Sequence, residues 1–260
     1  MTHRSDRLLN RLYSLAGKTA IVTGGSRGIG AMIARGFVES GVKTYIIARN
    51  ADDCDAAARE MSEAGECISL PANLATVEGI GGFADAFGAR EAKLDILVNN
   101  AGTTWGAPFE AYPEKGWDKV FDLNLKSLFF LTQKLHPLLR AAGSANDPAR
   151  VINISSINGL THPHMNNYAY SASKAGVAHL TKHLAADLAA SHINVNALAP
   201  GYFPSKMTAH FTDDMTRSIP LGRVGRPDDA AGAAIFLASP ASAWITGAVL
   251  PLDGGMVAAA

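Results

Sequence analysis

The feature that most constrains this chain is a rhythm. Seven short runs rich in β-branched and apolar residues (19–22, 44–48, 67–71, 96–98, 151–155, 194–199 and 249–252) alternate with longer Ala- and Leu-rich stretches, among them 51–64, 116–140, 175–190 and 227–239. Six of the seven runs show little polar alternation, as expected of strands covered by helices on both faces. The sequence therefore predicts an α/β fold, a doubly wound parallel sheet in a single domain. No Pro/Gly/Ser linker, composition shift or solenoid repeat divides residues 17–260. Residues 1–16 form an N-terminal extension in which Arg4, Arg7 and Arg11 stand beside Leu8, Leu9, Leu12 and Leu15. An amphipathic helix there is read as a surface-docked extension in preference to a targeting segment or a membrane contact.

Composition narrows the partners. Hydrophobic residues make up 48% of the 260 and charged residues 18%, which is globular. Lys+Arg and Asp+Glu are equal at 23 each, so no global field draws the protein to nucleic acid or an anionic membrane. Cys54 and Cys67 have no CxxC spacing and no signal peptide ahead of them, so they read as plain thiols of a cytoplasmic protein. No apolar run approaches the roughly 18 residues of a membrane span. His162-Pro163-His164 lacks an HExxH pattern and neighbouring carboxylates, so no metal site is expected.

Ligands of a doubly wound sheet bind beyond the carboxyl ends of its strands, and the unusual residues fall there. The first run passes into Thr23-Gly24-Gly25-Ser26-Arg27-Gly28-Ile29-Gly30 and then an apolar helix beginning near Ala31. Glycines let the backbone approach a pyrophosphate, and the helix N-terminus offers free N–H donors. The second strand ends in Ala48-Arg49-Asn50, without the carboxylate that would accept hydrogen bonds from ribose hydroxyls. Arg49, Arg27 and Ser26 instead offer charge and donors to a 2′-phosphate, which predicts NADP(H) as cofactor. Asn73, after the third strand, reads equally as an adenine contact or as a turn residue, and Leu74 beside it is a candidate cofactor contact. Small residues in Asn99-Asn100-Ala101-Gly102 permit close approach of the cofactor, and an Asn side chain can tie strand ends together.

Tyr170 and Lys174 are four apart in Tyr-Ser-Ala-Ser-Lys, which places both on one helix face. An ammonium near a phenol is expected to lower its pKa from about 10. Ser155-Ser156 closes the preceding strand, with Ser156 fourteen residues before Tyr170. Tyr168 has Ala172 rather than lysine at its fourth position and reads as a pocket wall.

Together these pieces resemble the compact branch of the short-chain dehydrogenase/reductase family, from about Gly17 to Met256. The matching pieces are TGGSRGIG from Thr23, NNAG from Asn99, Asn124 in Leu-Asn-Leu-Lys, ISS ending at Ser156, YSASK from Tyr170, Pro200-Gly201 and Leu252-Asp253-Gly254-Gly255. The resemblance implies a Rossmann-type, three-layer αβα fold, a catalytic tetrad of Asn124, Ser156, Tyr170 and Lys174, and homotetramers, with a homodimer as the alternative. Ser156 would donate a hydrogen bond to the substrate oxygen and Tyr170 would protonate it. Lys174 would hold the ribose and tune Tyr170, and Asn124 would position a water. Pro200, Gly201, Phe203 and Ser205 are implied in cofactor binding, Ser205 standing where the family usually has Thr.

Within the family the chain is most similar to β-ketoacyl reductases, including the rhamnolipid-pathway type, through AGTTWGAPFEAYPEKGWDKV and INVNALAPGYFPSKMT. The expected reaction is NADPH-dependent reduction of a small-molecule ketone, a 3-oxoacyl thioester or another apolar or cyclic ketone. Polyol, sugar-acid and steroid dehydrogenases on the same scaffold are the alternatives, and a non-catalytic nucleotide-binding sensor is the different-class one. A loop over 203–219 supplies Met207 and Phe211, with Met215 and Ile219, to cover an apolar ligand, and Trp105, His162, His164 and Met165 would line the other side. Ser191-His192 stands where basic residues for an acidic carrier protein are expected, which leaves coenzyme A thioesters and free ketones open.

Overall fold

The computed structural model describes residues 4–162, 165–204 and 216–260, with side chains from Arg7 onward. Seven parallel strands form one sheet in the order β3-β2-β1-β4-β5-β6-β7. They are β1 (Thr19–Thr23), β2 (Lys43–Ile47), β3 (Cys67–Ser69), β4 (Ile96–Asn99), β5 (Ala149–Ile154), β6 (Ile193–Pro200) and β7 (Val249–Leu252). All seven predicted runs are strands. Side chains alternate between two cores, which is why the strands read as unbroken apolar runs. Ala20, Val22, Ile46, Ile96, Val98, Ile152 and Leu198 face one core with α2 (Gly28–Glu39), α3 (Ala51–Met61) and α8 (Pro227–Ala238). Ile21, Tyr45, Ile47, Leu97 and Val151 face the other with α4 (Val77–Gly88), α6 (Ser127–Ala142) and α7 (Tyr168–Leu188). The result is a three-layer αβα sandwich, doubly wound and Rossmann-type.

Two departures from the sequence reading are local. The stretch 116–140 is not one regular helix: α5 (Glu114–Phe121) runs into a π-helical turn, Asp122–Lys126, before α6 begins. Helix α2 begins at Gly28 rather than near Ala31. As expected, Ser191-His192 lies at a helix end: a 3-10 turn, Ala189–Ser191, follows α7, and His192 closes it in the left-handed conformation (φ 56°) that usually falls to glycine. Helix α1 (Arg4–Tyr13) packs beside Pro240–Ser242 and leaves Leu8, Leu9 and Tyr13 exposed. Among the described residues no helix is long and apolar enough to cross a membrane.

Candidate active site

The strand order reverses between β1 and β4, and the residues closing those two strands are tied together. Thr23 Oγ1 accepts from the backbone N–H groups of Asn100 and Ala101, both at 2.8 Å, and Asn100 Nδ2 donates to the Thr23 carbonyl at 2.8 Å. One strand further, Asn99 Nδ2 donates to Asn153 Oδ1 at 2.9 Å, and Asn153 Nδ2 donates to Thr181 Oγ1 of α7 at 2.9 Å. These buried amides satisfy one another across β4, β5 and α7. Sequence reasoning anticipates the Asn100 clamp but misses Thr23, Asn153 and Thr181, whose partners are distant in the chain.

The glycine turn fits a dinucleotide. Gly24 has φ +65°, and a Cβ on Gly30 would lie 2.3 Å from the Gly24 carbonyl oxygen and 2.4 Å from Asn100 Nδ2. The loop is thus folded hard onto the end of β4, and only glycine allows it. Helix α2 has no side-chain cap at Arg27 and no acidic residue in its first turn, which leaves its leading N–H groups for an anion. Ser26 is half-buried, while Arg27 and Arg49 are exposed. Asn50 caps α3, its side chain accepting from Asp53 N at 3.2 Å. Asn73 accepts from Ala75 N at 3.2 Å, a turn contact, and Leu74 is buried in the core. Beyond β6, a Cβ on Gly201 would meet Asp253 Cα at 2.9 Å, and the Phe203 ring is buried against Gly225. Ser205, Met207, Phe211 and Met215, with His164, lie outside the described residues.

Helix α7 brings Tyr170 and Lys174 to the end of β5. Ser155 and Ser156 have different partners. Ser155 Oγ donates to the Lys174 carbonyl at 2.8 Å, fixing α7 to β5, whereas Ser156 Oγ accepts from Asn158 N at 3.2 Å and lies near enough to the Tyr170 side chain to lower its pKa. Lys174 is buried and donates from Nζ to the Ile154 carbonyl at 2.7 Å, with Nζ 5.7 Å from the Tyr170 ring centroid. Burial pulls its pKa down to about 8. The expected depression of the Tyr170 pKa is absent. Burial raises it, and the neighbouring Ser156 hydroxyl only partly opposes the rise. The ammonium stands over the ring face and is bonded to Ile154, not to the phenolic oxygen.

Asn124 sits in the π-helical turn, buried. Its Oδ1 accepts from Thr103 N at 2.8 Å, and its Nδ2 donates to the Thr103 carbonyl and to Ser173 Oγ, both at 3.0 Å. A Cβ on Gly102 would stand 3.3 Å from Asn124 Oδ1 and 3.7 Å from Lys174 Nζ, so glycine keeps the space between them open. Trp105 packs on Gly116 with Lys119 Nζ 5.2 Å over its ring. Tyr168 points its hydroxyl to Asn166 Oδ1 at 3.3 Å and packs edge-on to Phe109 and Tyr112.

A family model described as "Enoyl-(Acyl carrier protein) reductase" matches residues 24–257. The chain is 50% identical over 249 residues to the rhamnolipids biosynthesis 3-oxoacyl-[acyl-carrier-protein] reductase of Pseudomonas aeruginosa, covering 94% of this chain and 97% of that protein. The structure of the Pseudomonas aeruginosa RhlG/NADP active-site complex aligns with TM-score 0.93 at 49% identity over 95% of this chain and 99% of that one. A gluconate 5-dehydrogenase from Burkholderia cenocepacia in complex with NADP and tartrate aligns with TM-score 0.89 at 35% identity, over 97% of this chain and 100% of that one. Fold, strand-end architecture and these likenesses agree: the chain belongs to the short-chain dehydrogenase/reductase family.

Proposed function

We propose that the protein reduces the keto group of a 3-oxoacyl thioester to a secondary alcohol with NADPH. The observation that carries the reaction type is the placing of Ser156 beside Tyr170 with buried Lys174 one helical turn along α7, its Nζ 5.7 Å from the Tyr170 ring centroid. When bound, the dinucleotide supplies a hydride to the carbonyl carbon. Ser156 donates a hydrogen bond to the substrate oxygen, and Tyr170 gives that oxygen its proton. Burial keeps Tyr170 protonated at neutral pH, the form a general acid needs, which favours the reductive direction. The Lys174 ammonium lies over the ring where it stabilises charge developing on the phenolate, and it offers its remaining donors to the ribose. Asn124 orients a water across the gap beside Gly102 that returns the proton through Lys174.

Arg49 and Arg27 at the ribose end, with no carboxylate closing β2, support NADPH over NADH. Arg49→Asp is expected to erode or reverse that preference, read as the ratio of kcat/KM values for the two cofactors; equal values in the unmodified protein would contradict the assignment.

Two hydroxyls meeting at one point suit a carbonyl oxygen that gains a proton, so ketone reduction is preferred to the alkene reduction in the matched model's description. The thioester is supported by the 50% identity to the rhamnolipid-pathway reductase. NADPH oxidation against 3-oxoacyl-coenzyme A and carrier-bound thioesters, cyclic ketones, steroids and keto-sugar acids tests it. Turnover of thioesters above the other classes is expected, and turnover confined to sugar acids would replace this reading with the gluconate-type one. We also propose that residues 17–260 form the catalytic domain and 1–16 an extension, that the enzyme is cytoplasmic, and that it assembles as a homotetramer. The exposed segment at Trp244 and the edge strand β7, with Leu250 exposed, support the assembly.

A further inference from the structure

We infer that Ser173 is a positioning residue that locks Asn124 onto the helix carrying Tyr170 and Lys174. The inference rests on the reading of these residues as ketone-reduction machinery. Ser173 is fully buried in the first turns of α7. Its hydroxyl has one hydrogen, and Oγ lies 2.8 Å from the Tyr170 carbonyl, an acceptor only, so the proton points there. The lone pairs of Oγ are then left for Asn124 Nδ2 at 3.0 Å.

That fixes the Asn124 amide. Thr103 N can only donate, so it holds Oδ1 at 2.8 Å, and the two hydrogens of Nδ2 go to the Thr103 carbonyl and to Ser173, both at 3.0 Å. The π-helical turn replaces the regular i→i−4 bonds with a wider one, Ser127 N–H donating to the Asp122 carbonyl, and such turns are frequent at functional sites. Thr103 ties it to the segment after β4. Ser173 is the tie to α7, and it joins the Asn124 side chain to the main chain of Tyr170 itself. Without it the Asn124 amide, whose Oδ1 borders the space beside Gly102 that Lys174 Nζ also borders, is held by Thr103 alone.

The test is a double-mutant cycle on the full-length protein, assayed with whichever ketone of the panel the unmodified enzyme turns over, so that an error in the thioester reading leaves it intact. Ser173→Ala is expected to lower kcat by about 10-fold, the size of one lost buried hydrogen bond, with KM for ketone and NADPH little changed. In an Asn124→Ala background the same change is expected to cost less than about twofold, because the partner is already gone. Equal costs in the two backgrounds would overturn the inference, since a general packing defect adds independently of Asn124. Should Ser173→Ala fail to fold, Ser173→Thr and Ser173→Val carry the same extra methyl and differ in the hydroxyl. Thr is expected to exceed Val in kcat by about 10-fold, and equal rates would overturn the proposal.

Discussion

At the scale of single residues the site separates groups that look alike in sequence. Ser155 and Ser156 are adjacent and chemically identical, but one fastens α7 to β5 and the other meets Tyr170. Strand alternation and alignment with the family's pattern favour Ser156, the serine that lies by Tyr170. The sign of the Tyr170 shift is not legible in this way. Spacing puts a lysine on the same helix face, but it does not reveal that Nζ is bonded to Ile154 and that burial governs both groups. A pH dependence follows. Lys174 is charged below about 8 and Tyr170 stays protonated well above that, so kcat/KM for reduction is expected to be level on the acid side and to fall as pH rises through about 8. In Lys174→Arg, whose guanidinium does not deprotonate in this range, the residual activity is expected to lose that alkaline limb. A profile from pH 6 to 9.5 checks both; a limb unchanged in the arginine variant would assign it to another group.

At the scale of elements, most of the architecture is readable because the central strands are short, apolar and buried on both faces. β1, β4, β5 and β6 are buried along their whole length. The parts that are not readable depend on contacts distant in the chain or on backbone detail. The π-helical turn at Asp122–Lys126 has no composition signature and interrupts what reads as one helix. Helix α4 is obscured by Gly79, Gly81 and Gly82, although Ile80, Phe83 and Phe87 bury it against the sheet. The glycine turn is readable as a type of loop, while its tightness is visible only in the close approach of Gly24 and Asn100 to Gly30. Gly30→Ala is therefore expected to destabilise the fold by about 1–3 kcal/mol, the usual cost of overpacking, and to weaken NADPH binding at least tenfold. Urea unfolding and fluorescence titration with NADPH measure the two effects. A Gly30→Ala protein that binds NADPH normally would mean that the turn is not the pyrophosphate seat.

At the scale of the whole molecule, the sheet has one interior and two unequal edges. β7 ends it with only half-buried and exposed residues, Leu250 among them, and Trp244 beside it is fully exposed. Light scattering at micromolar concentration is expected to report a mass near four chains, and a stable monomer would contradict the assembly. The central claim is that this architecture delivers one proton donor, Tyr170, to a ketone oxygen. Its most direct test is NADPH oxidation by Tyr170→Phe and by Tyr168→Phe, two changes that each remove a single phenolic oxygen from α7. The predicted result is a fall in kcat of roughly 10²–10⁴ for Tyr170→Phe, as for loss of a general acid, with NADPH affinity little changed. Tyr168→Phe, whose hydroxyl is bonded to Asn166, is predicted to keep most of the rate. An active Tyr170→Phe enzyme beside a dead Tyr168→Phe enzyme would contradict the account.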